Sequence, residues 1–172
     1  MMKPVAALSL LPALAIVGAP AAHAGDAALN GTYAAVSNGD WAMTNDVYRN
    51  EASVRSTWTI TMACSDVVTC NGTVSSDAGW TADIYTTNGQ YVVKRELPNW
   101  EPCADGRSFP GHQRFQFYPV DVVGGLPVHA AGDTKWPTET FAGVDRTSAD
   151  SGNCSINEKL EIELPFRLEK LT

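Results

Sequence analysis

The stretch VRSTWTITMACSDVVTC, residues 54–70, decides the fold of this chain because it combines strict alternation with two cysteines. Threonines and Arg55 alternate with residues that are mostly apolar, and Ser56 is the one small polar member of the apolar face. Period-two alternation in β-branched and aromatic residues predicts a strand with one buried face. That face is formed by Val54, Ser56, Trp58, Ile60, Met62 and Cys64.

The four cysteines predict two disulfides rather than a metal or redox site. An even number of cysteines in an exported chain indicates disulfides, and four of them allow three pairings. Zinc sites need closer cysteine pairs, and a C-x-x-C redox motif is absent. The turn between Cys64 and Cys70 suits a local bridge, which leaves Cys103 to pair with Cys154. We predict no metal and no cofactor.

The first 24 residues predict export. Lys3 precedes an apolar run from Val5 to Val17, and the segment ends with Ala22-His23-Ala24, a small-x-small cleavage site typical of a secretory signal peptide. Pro12 interrupts the run, which is also too short to span a bilayer. No later stretch is apolar enough to be a transmembrane segment. We expect a signal peptide over 1–24, a single exported β-domain over 25–172, and a secreted or extracytoplasmic location in the envelope or the medium.

The charge of the chain excludes nucleic acid as a partner. Nineteen acidic residues outnumber twelve basic ones, which gives a net charge of −7. An acidic domain is repelled by phosphate backbones. Lysines and arginines are scattered and usually stand beside an acid, as in KRE at 94–96.

Further alternating segments predict an all-β fold. Turn signals, among them Asn88-Gly89, separate the segments, and neighbours in sequence can pair. We predict a single antiparallel meander of about eight strands that forms a disulfide-stapled barrel or a strongly curved sheet, with an immunoglobulin-like sandwich as the alternative. The predicted strands cover residues 29–37, 54–64, 71–76, 79–87, 90–97, 112–120, 141–146 and 158–171.

Two stretches have no clear strand period. Residues 38–52 hold Trp41 and Tyr48 and are expected to form a long connection, with a short helical turn or as a cover over one end of the sheet. Residues 122–138 are rich in Gly and Pro and are expected to form a long irregular loop.

Several of these motifs together resemble a group of secreted proteins and lipoproteins of actinobacteria, chiefly mycobacteria. The chain is also distantly similar to the extracytoplasmic domains of some mycobacterial serine/threonine kinases. The resemblance implies an exported, disulfide-bonded β-domain of uncharacterised function, and it assigns no catalytic residue. The motifs are GTY at 31–33, STWTITMACSDVVTC at 56–70, DAGW at 77–80, VKRELPNWEPC at 93–103 and CSINEKLEIELPFRLEKL at 154–171.

Residue patterns for catalysis are weak, so we predict that the protein is not an enzyme. His112 and His129 have no neighbour at metal-binding spacing, and no G-x-S-x-G motif is present. Glu161 and Glu163 share a face, as alternate acids on any solvated strand do.

The tryptophans outside the predicted strands are the best candidates for binding. Trp100 and Glu101 lie in LPNWEPC, a stretch stiffened by two prolines and tied by a cysteine. Trp41 and Trp136 also fall outside the strands, beside polar residues or proline. Such aromatic side chains can anchor a partner or stack on sugars. They can equally be lids that seal the ends of a barrel.

These observations predict a non-catalytic exported binding domain. Its ligand would be a small apolar molecule inside the barrel, or an envelope or protein partner at the rim. The alternatives are a cell-envelope glycan binder that uses the loop tryptophans and a secreted hydrolase.

Overall fold

Eight antiparallel strands close into a barrel, which confirms the all-β prediction and the barrel form of it. The computed structural model describes residues 27–87, 89–123, 126–129 and 139–172, and the statements below concern these residues. The predicted signal peptide at 1–24, Asn88 and Trp136 lie outside them. The strands, in chain order, are β1 (Gly31–Ser37), β2 (Met43–Thr44), β3 (Val47–Tyr48), β4 (Val54–Cys64), β5 (Thr69–Ser76), β6 (Trp80–Thr87), β7 (Gln90–Pro102), β8 (Ser108–Val123), β9 (Leu126–His129), β10 (Thr140–Ser148) and β11 (Glu161–Lys170).

The ring closes through β1, which pairs with β4 on one side and with β11 on the other. Ser37, for example, faces Val54 in β4 and Phe166 in β11. Around the ring the order is β1, β4, β5, β6, β7, β8, β10, β11, so most neighbours in sequence are neighbours in space. Closure removes the exposed edges that an open sheet would present.

The two predicted disulfides are confirmed, and they lie at opposite ends of the barrel. Cys64 and Cys70 face each other in the β4–β5 ladder, with their Cα atoms 3.9 Å apart. Cys103 follows β7 and is bonded to Cys154 in the loop before β11, with Cα atoms 5.2 Å apart. We call the two ends the Cys64 end and the Cys103 end.

Aromatic side chains fill the interior. Trp58 is fully buried, and its ring centroid lies 4.9 Å from that of Phe115 and 5.2 Å from that of Phe166. Toward the Cys64 end, Tyr91 stacks on Phe117, and its hydroxyl donates a 2.6 Å hydrogen bond to a backbone carbonyl just before β1. Aromatic pairs in these geometries add to the stabilisation from burial. The barrel core is therefore packed with its own side chains.

A glycine in β10 lets two of the ring strands approach closely. A Cβ atom at Gly143 would lie 2.0 Å from the carbonyl oxygen of Gln116 and 2.6 Å from the Cα atom of Phe117, both in β8. Gly143 also faces Phe117 in β8 on one side and Phe166 in β11 on the other. The missing side chain leaves room for these two large rings, in the small-and-large alternation that fills small barrels.

Three predictions about local structure need correction. Val54 lies on the predicted face of β4 but is 54% exposed. It is the first residue of the strand and lies at the Cys103 end of the barrel. The connection at 38–52 contains the expected short helical turn, a 3₁₀ helix (Gly39–Trp41), but it also contains the hairpin β2–β3, which was not predicted. The predicted loop at 122–138 begins with the end of β8 and with β9, which pairs with β8; its other residues lie outside the described ones.

Helices contribute little to the described part of the chain. Besides Gly39–Trp41, a second 3₁₀ helix covers Asn153–Ser155. Within residues 27–172, with the gaps stated above, no helix is long and apolar enough to cross a membrane.

Candidate functional site

A rigid hairpin projects from the rim at the Cys103 end. Its turn residues, Asn45 and Asp46, have φ angles of 46° and 63°, as a two-residue hairpin turn of type I′ requires. The turn joins β2 to β3, and β2 also pairs with β11. Asn45 fixes the hairpin to Glu161 twice, because its backbone N–H donates to the Glu161 carbonyl and its side-chain oxygen accepts from the Glu161 N–H. We call the segment from Gly39 to Tyr48 the rim hairpin.

The rim hairpin exposes three large apolar side chains. Trp41 is 63% exposed, Val47 is 65% exposed and Tyr48 is 73% exposed. By contrast, Trp58, which belongs to the interior, is fully buried. Exposed aromatic side chains on a rigid segment are typical of binding surfaces, since they need little ordering when a partner binds.

The structure places Trp100 in a bulge of β7. The β7–β8 register shifts between Leu97 and Glu101, and Asn99 in this interval has a φ of 57°. The half-buried Trp100 ring lies over Gly111 of β8, where a Cβ atom would approach the ring to 2.6 Å. Only a glycine at position 111 leaves room for the ring in this position.

Glu101 lies next to Trp100 in sequence but is only 8% exposed. Its carboxylate accepts a 2.9 Å hydrogen bond from the side-chain amide of Asn153, beside the Cys103–Cys154 bridge. Glu101 is thus bonded within the protein, and its role as a binding residue stays a prediction.

The candidate tryptophans are not gathered into one cluster. Trp41 follows β1, whereas Trp100 lies in β7, four strands away around the eight-stranded ring. Trp136, the fourth predicted binding residue, lies outside the described residues. Tyr48 and Val47 were not predicted as binding residues. Their neighbours Asn45-Asp46 form the hairpin signal that could have pointed to them.

An aspartate lies inside the barrel wall, in a polar network near the Cys103 end. Asp145 is 3% exposed and accepts hydrogen bonds of 2.7 Å from the Ser37 hydroxyl and 2.8 Å from the Gln113 amide. The Gln113 side-chain oxygen accepts a 2.6 Å bond from Arg95, whose guanidinium lies 4.3 Å from the Trp80 ring centroid. Burial raises the pKa of Asp145, and these hydrogen bonds and the charge of Arg95 partly oppose that shift.

This network links side chains of β1, β7, β8 and β10 and so supports the barrel wall. Both carboxylate oxygens of Asp145 accept hydrogen bonds, and the residue is buried away from solvent. Among the described residues, no group of three or more His, Cys, Asp and Glu side chains is placed to hold a metal ion. The nearest acid to His112, Asp150, lies 3.9 Å from it, and both side chains are exposed.

The fold and the disulfides define the class of the protein as a disulfide-bonded, closed antiparallel β-barrel. A solved structure with this fold is the monomeric form of the PknI sensor domain of Mycobacterium tuberculosis, with a TM-score of 0.57. The two sequences are 11% identical, and the match covers 84% of this chain and 88% of that one. At this identity the likeness concerns the fold.

No protein-family model and no curated protein matches the chain. The sequence motifs indicated a distant similarity to the extracytoplasmic domains of mycobacterial kinases. The similarity in fold to a sensor domain agrees with that resemblance. The assignment to a group of actinobacterial secreted proteins and lipoproteins stays a prediction.

Proposed function

We propose that this chain is a non-catalytic, extracytoplasmic binding domain that recognises a protein partner through its rim hairpin. The observation that carries the proposal is the exposure of Trp41, Val47 and Tyr48 on a hairpin fixed to the barrel by β-pairing. Tryptophan and tyrosine are enriched among the residues that dominate protein–protein binding. The filled interior argues against the first predicted ligand, a small apolar molecule in the barrel.

The two disulfides and the fold similarity to a sensor domain support the extracytoplasmic location and the non-catalytic role. We propose Trp100 as a second, separate contact at the same end of the barrel. In this proposal the hydrogen bond between Glu101 and Asn153 holds the bulge of β7 that contains Trp100.

The test is a comparison of three forms of the secreted protein. The double variant Trp41→Ala/Tyr48→Ala removes the two exposed aromatic rings of the rim hairpin, and Tyr85→Ala is the matched control, since Tyr85 is an exposed aromatic residue of β6. Each form carries a photo-crosslinker in place of Arg49, an exposed residue directly after the rim hairpin, and the products from intact cells of the producing organism are identified by mass spectrometry. We expect one protein to be crosslinked by the wild type and by Tyr85→Ala but not by the double variant. That protein is then purified, and its affinity for each form is measured.

Loss of two such aromatic contacts should weaken the purified complex by about a thousandfold, since each residue that dominates an interface contributes about 2 kcal/mol. Equal affinity for the wild type and the double variant would overturn the proposal. Retention of the wild type, but not of the double variant, on protein-free cell-wall polysaccharide would instead favour the glycan-binding alternative. A Trp100→Ala variant in the same assays tests the second contact.

A further inference from the structure

The outer wall of the barrel carries three cationic side chains in a row across three neighbouring strands. Lys94 of β7 faces Arg114 of β8, and Arg114 faces Arg146 of β10. Neighbouring strands lie about 4.8 Å apart, so the three backbone positions span about 10 Å. We call these three residues the basic row. The sequence separates them by 20 and 32 positions, and only the strand register brings them together.

A groove of about 510 Å³ follows the basic row. His112 and Ser148, which face each other in the β8–β10 register, line it beside the three cations. A second groove of about 260 Å³ shares Arg114 and Arg146 and continues along the same two strands past Val144. The basic row therefore lies in a concave surface that can hold a small ligand.

Lys94 and Arg114 make no close ion pair within the described part of the chain, although Asp83 and Glu96 line a neighbouring groove with Lys94. Arg146 is bonded to Glu163 and lies 3.6 Å from Glu161. No ion pair within 4.0 Å involves Lys94 or Arg114 there, although the chain has 19 acidic residues and 12 basic ones.

Like charges that face each other directly on a sheet lower its stability. The free protein thus gains nothing from this arrangement, whereas an anion in the groove would relieve the repulsion. Several carboxylates stand at the borders of the groove, and one of them, Asp83, lines the neighbouring groove with Lys94. Glu96 faces His112 in the β7–β8 register, Asp150 lies 3.9 Å from His112, and Glu163 faces Arg146.

We propose that the basic row is a binding site for a ligand with two or more neighbouring phosphate groups. Arginine binds phosphate oxygens through two parallel N–H donors, and lysine adds a point charge beside it. The spacing of the row suits two anionic groups about 5 Å apart, one between each pair of facing cations. The site is on β7, β8 and β10, whereas the rim hairpin is fixed to β11, so this proposal is independent of the proposed function.

The first test measures binding of inorganic tripolyphosphate to the secreted protein by isothermal titration calorimetry, with orthophosphate for comparison. The test variant is Lys94→Gln/Arg114→Gln. The matched control is Arg55→Gln, which removes an exposed cation of β4 on another side of the ring; among the described residues Arg55 has no ion pair within 4.0 Å. We expect saturable binding that is tighter for tripolyphosphate than for orthophosphate. Each charge removed from the basic row should weaken it by about tenfold, and Arg55→Gln should leave it unchanged.

A second measurement on the same proteins guards against misfolding of the double variant. Because the substitutions remove a repulsion, the melting temperature of the ligand-free double variant should equal or exceed that of the wild type. Tripolyphosphate should raise the melting temperature of the wild type and of Arg55→Gln only.

Flotation with phosphatidylcholine vesicles that contain cardiolipin, a lipid whose headgroup carries two phosphates, distinguishes the sources of the phosphate. Binding to tripolyphosphate supports a soluble ligand, and binding to these vesicles that is lost in the double variant supports a lipid headgroup. Binding to neither probe overturns the proposal. An equal loss per charge removed in Arg55→Gln and in the double variant also overturns it, because net charge alone would then explain the binding.

Discussion

At the scale of single residues, two aspartates have opposite pKa shifts because their environments differ. Burial raises the pKa of Asp145 in the barrel wall, although Ser37, Gln113 and Arg95 partly oppose the shift. Asp66 is exposed in the turn between β4 and β5, where hydrogen bonds from the backbone N–H groups of Val68 and Thr69 lower its pKa. Opposite shifts predict opposite effects of pH on stability.

The wild-type protein should lose stability through Asp145 as the pH rises. The native pKa of Asp145 is above the unfolded-state value of about 4, so the folded protein binds more protons between the two values. Asp145→Asn removes this titration, and its amide can still bond to Ser37 and Gln113. We therefore expect the free energy of unfolding of Asp145→Asn, relative to wild type, to rise as the pH increases from about 4 through the native pKa.

Asp66→Asn is the control with the opposite sign. The lowered native pKa of Asp66 gives stability that is present above the unfolded-state pKa and is lost as the pH falls through the native pKa. The variant should therefore become less stable than wild type as the pH rises through that window. Urea unfolding at a series of pH values measures both differences. A fall in the relative stability of Asp145→Asn with rising pH would mean that the hydrogen bonds from Ser37 and Gln113, together with the charge of Arg95, outweigh burial.

The polar residues of the interior show where alternation in the sequence stops being informative. Asp145 occupies an inward position of β10, and period-two patterns alone do not distinguish it from a solvated acid in a turn. Its partners Ser37 and Gln113 are distant in sequence and meet it only because the barrel closes. Long-range polar networks of this kind depend on register, which the sequence does not display.

At the scale of elements, β11 follows its sequence pattern most closely. Leu164, Phe166 and Leu168 are buried, as the alternation of apolar and polar residues in 158–171 requires, and Arg167 points outward. Ile162, on the same face as the buried residues, is half-buried because it lies near the Cys103 end, where β2 pairs with β11. The strand joins β10 to β1 and so completes the ring.

Two neighbouring substitutions in β11 test this assignment of faces. Leu164→Ala should lower the free energy of unfolding by about 2–5 kcal/mol, because Leu164 is 8% exposed and its removal leaves a cavity. Glu163→Ala should lower it by at most about 1 kcal/mol, because its bond to Arg146 is on the solvated face. Denaturant unfolding of both variants measures the difference. Equal losses would show that the two faces of β11 are assigned incorrectly.

Short elements escaped prediction for a different reason. The strands β2 and β3 have two residues each, too few for a period to be read, and β9 interrupts a stretch rich in glycine and proline. The bulge in β7 was likewise hidden, although Pro98-Asn99 indicates a departure from regular pairing. The two candidate binding elements, the rim hairpin and the bulge of β7 that contains Trp100, both belong to these irregular parts.

At the scale of the whole molecule, closure of the ring decides which residues become neighbours. The order of the meander could be inferred from strand spacing and turn signals. The relative registers of β7, β8 and β10 could not, and they alone create the basic row from scattered lysine and arginine residues. The sequence therefore predicts the core of this protein far better than its outer surface.

The two disulfides constrain the molecule to different extents. Cys64 and Cys70 are six positions apart, and Cys103 and Cys154 are 51 positions apart. In the chain-entropy model a disulfide stabilises by restricting the unfolded chain, more strongly for a longer loop. The estimates are about 2 kcal/mol for the short loop and about 4 kcal/mol for the long one. The longer bridge also ties the β7–β8 connection to the loop that holds Asn153, the partner of Glu101.

We therefore expect the double variant Cys103→Ala/Cys154→Ala to lose more stability than Cys64→Ala/Cys70→Ala. Urea unfolding of the two variants and of the wild type under non-reducing conditions measures both losses. The comparison is demanding, because Cys70 is fully buried and its replacement also removes packing, whereas Cys103 and Cys154 are partly exposed. After addition of a thiol reductant, the wild type should lose more stability than either variant, since both of its bridges then open. A larger loss in Cys64→Ala/Cys70→Ala would mean that local packing around Cys70, rather than restriction of the unfolded chain, determines what the disulfides contribute.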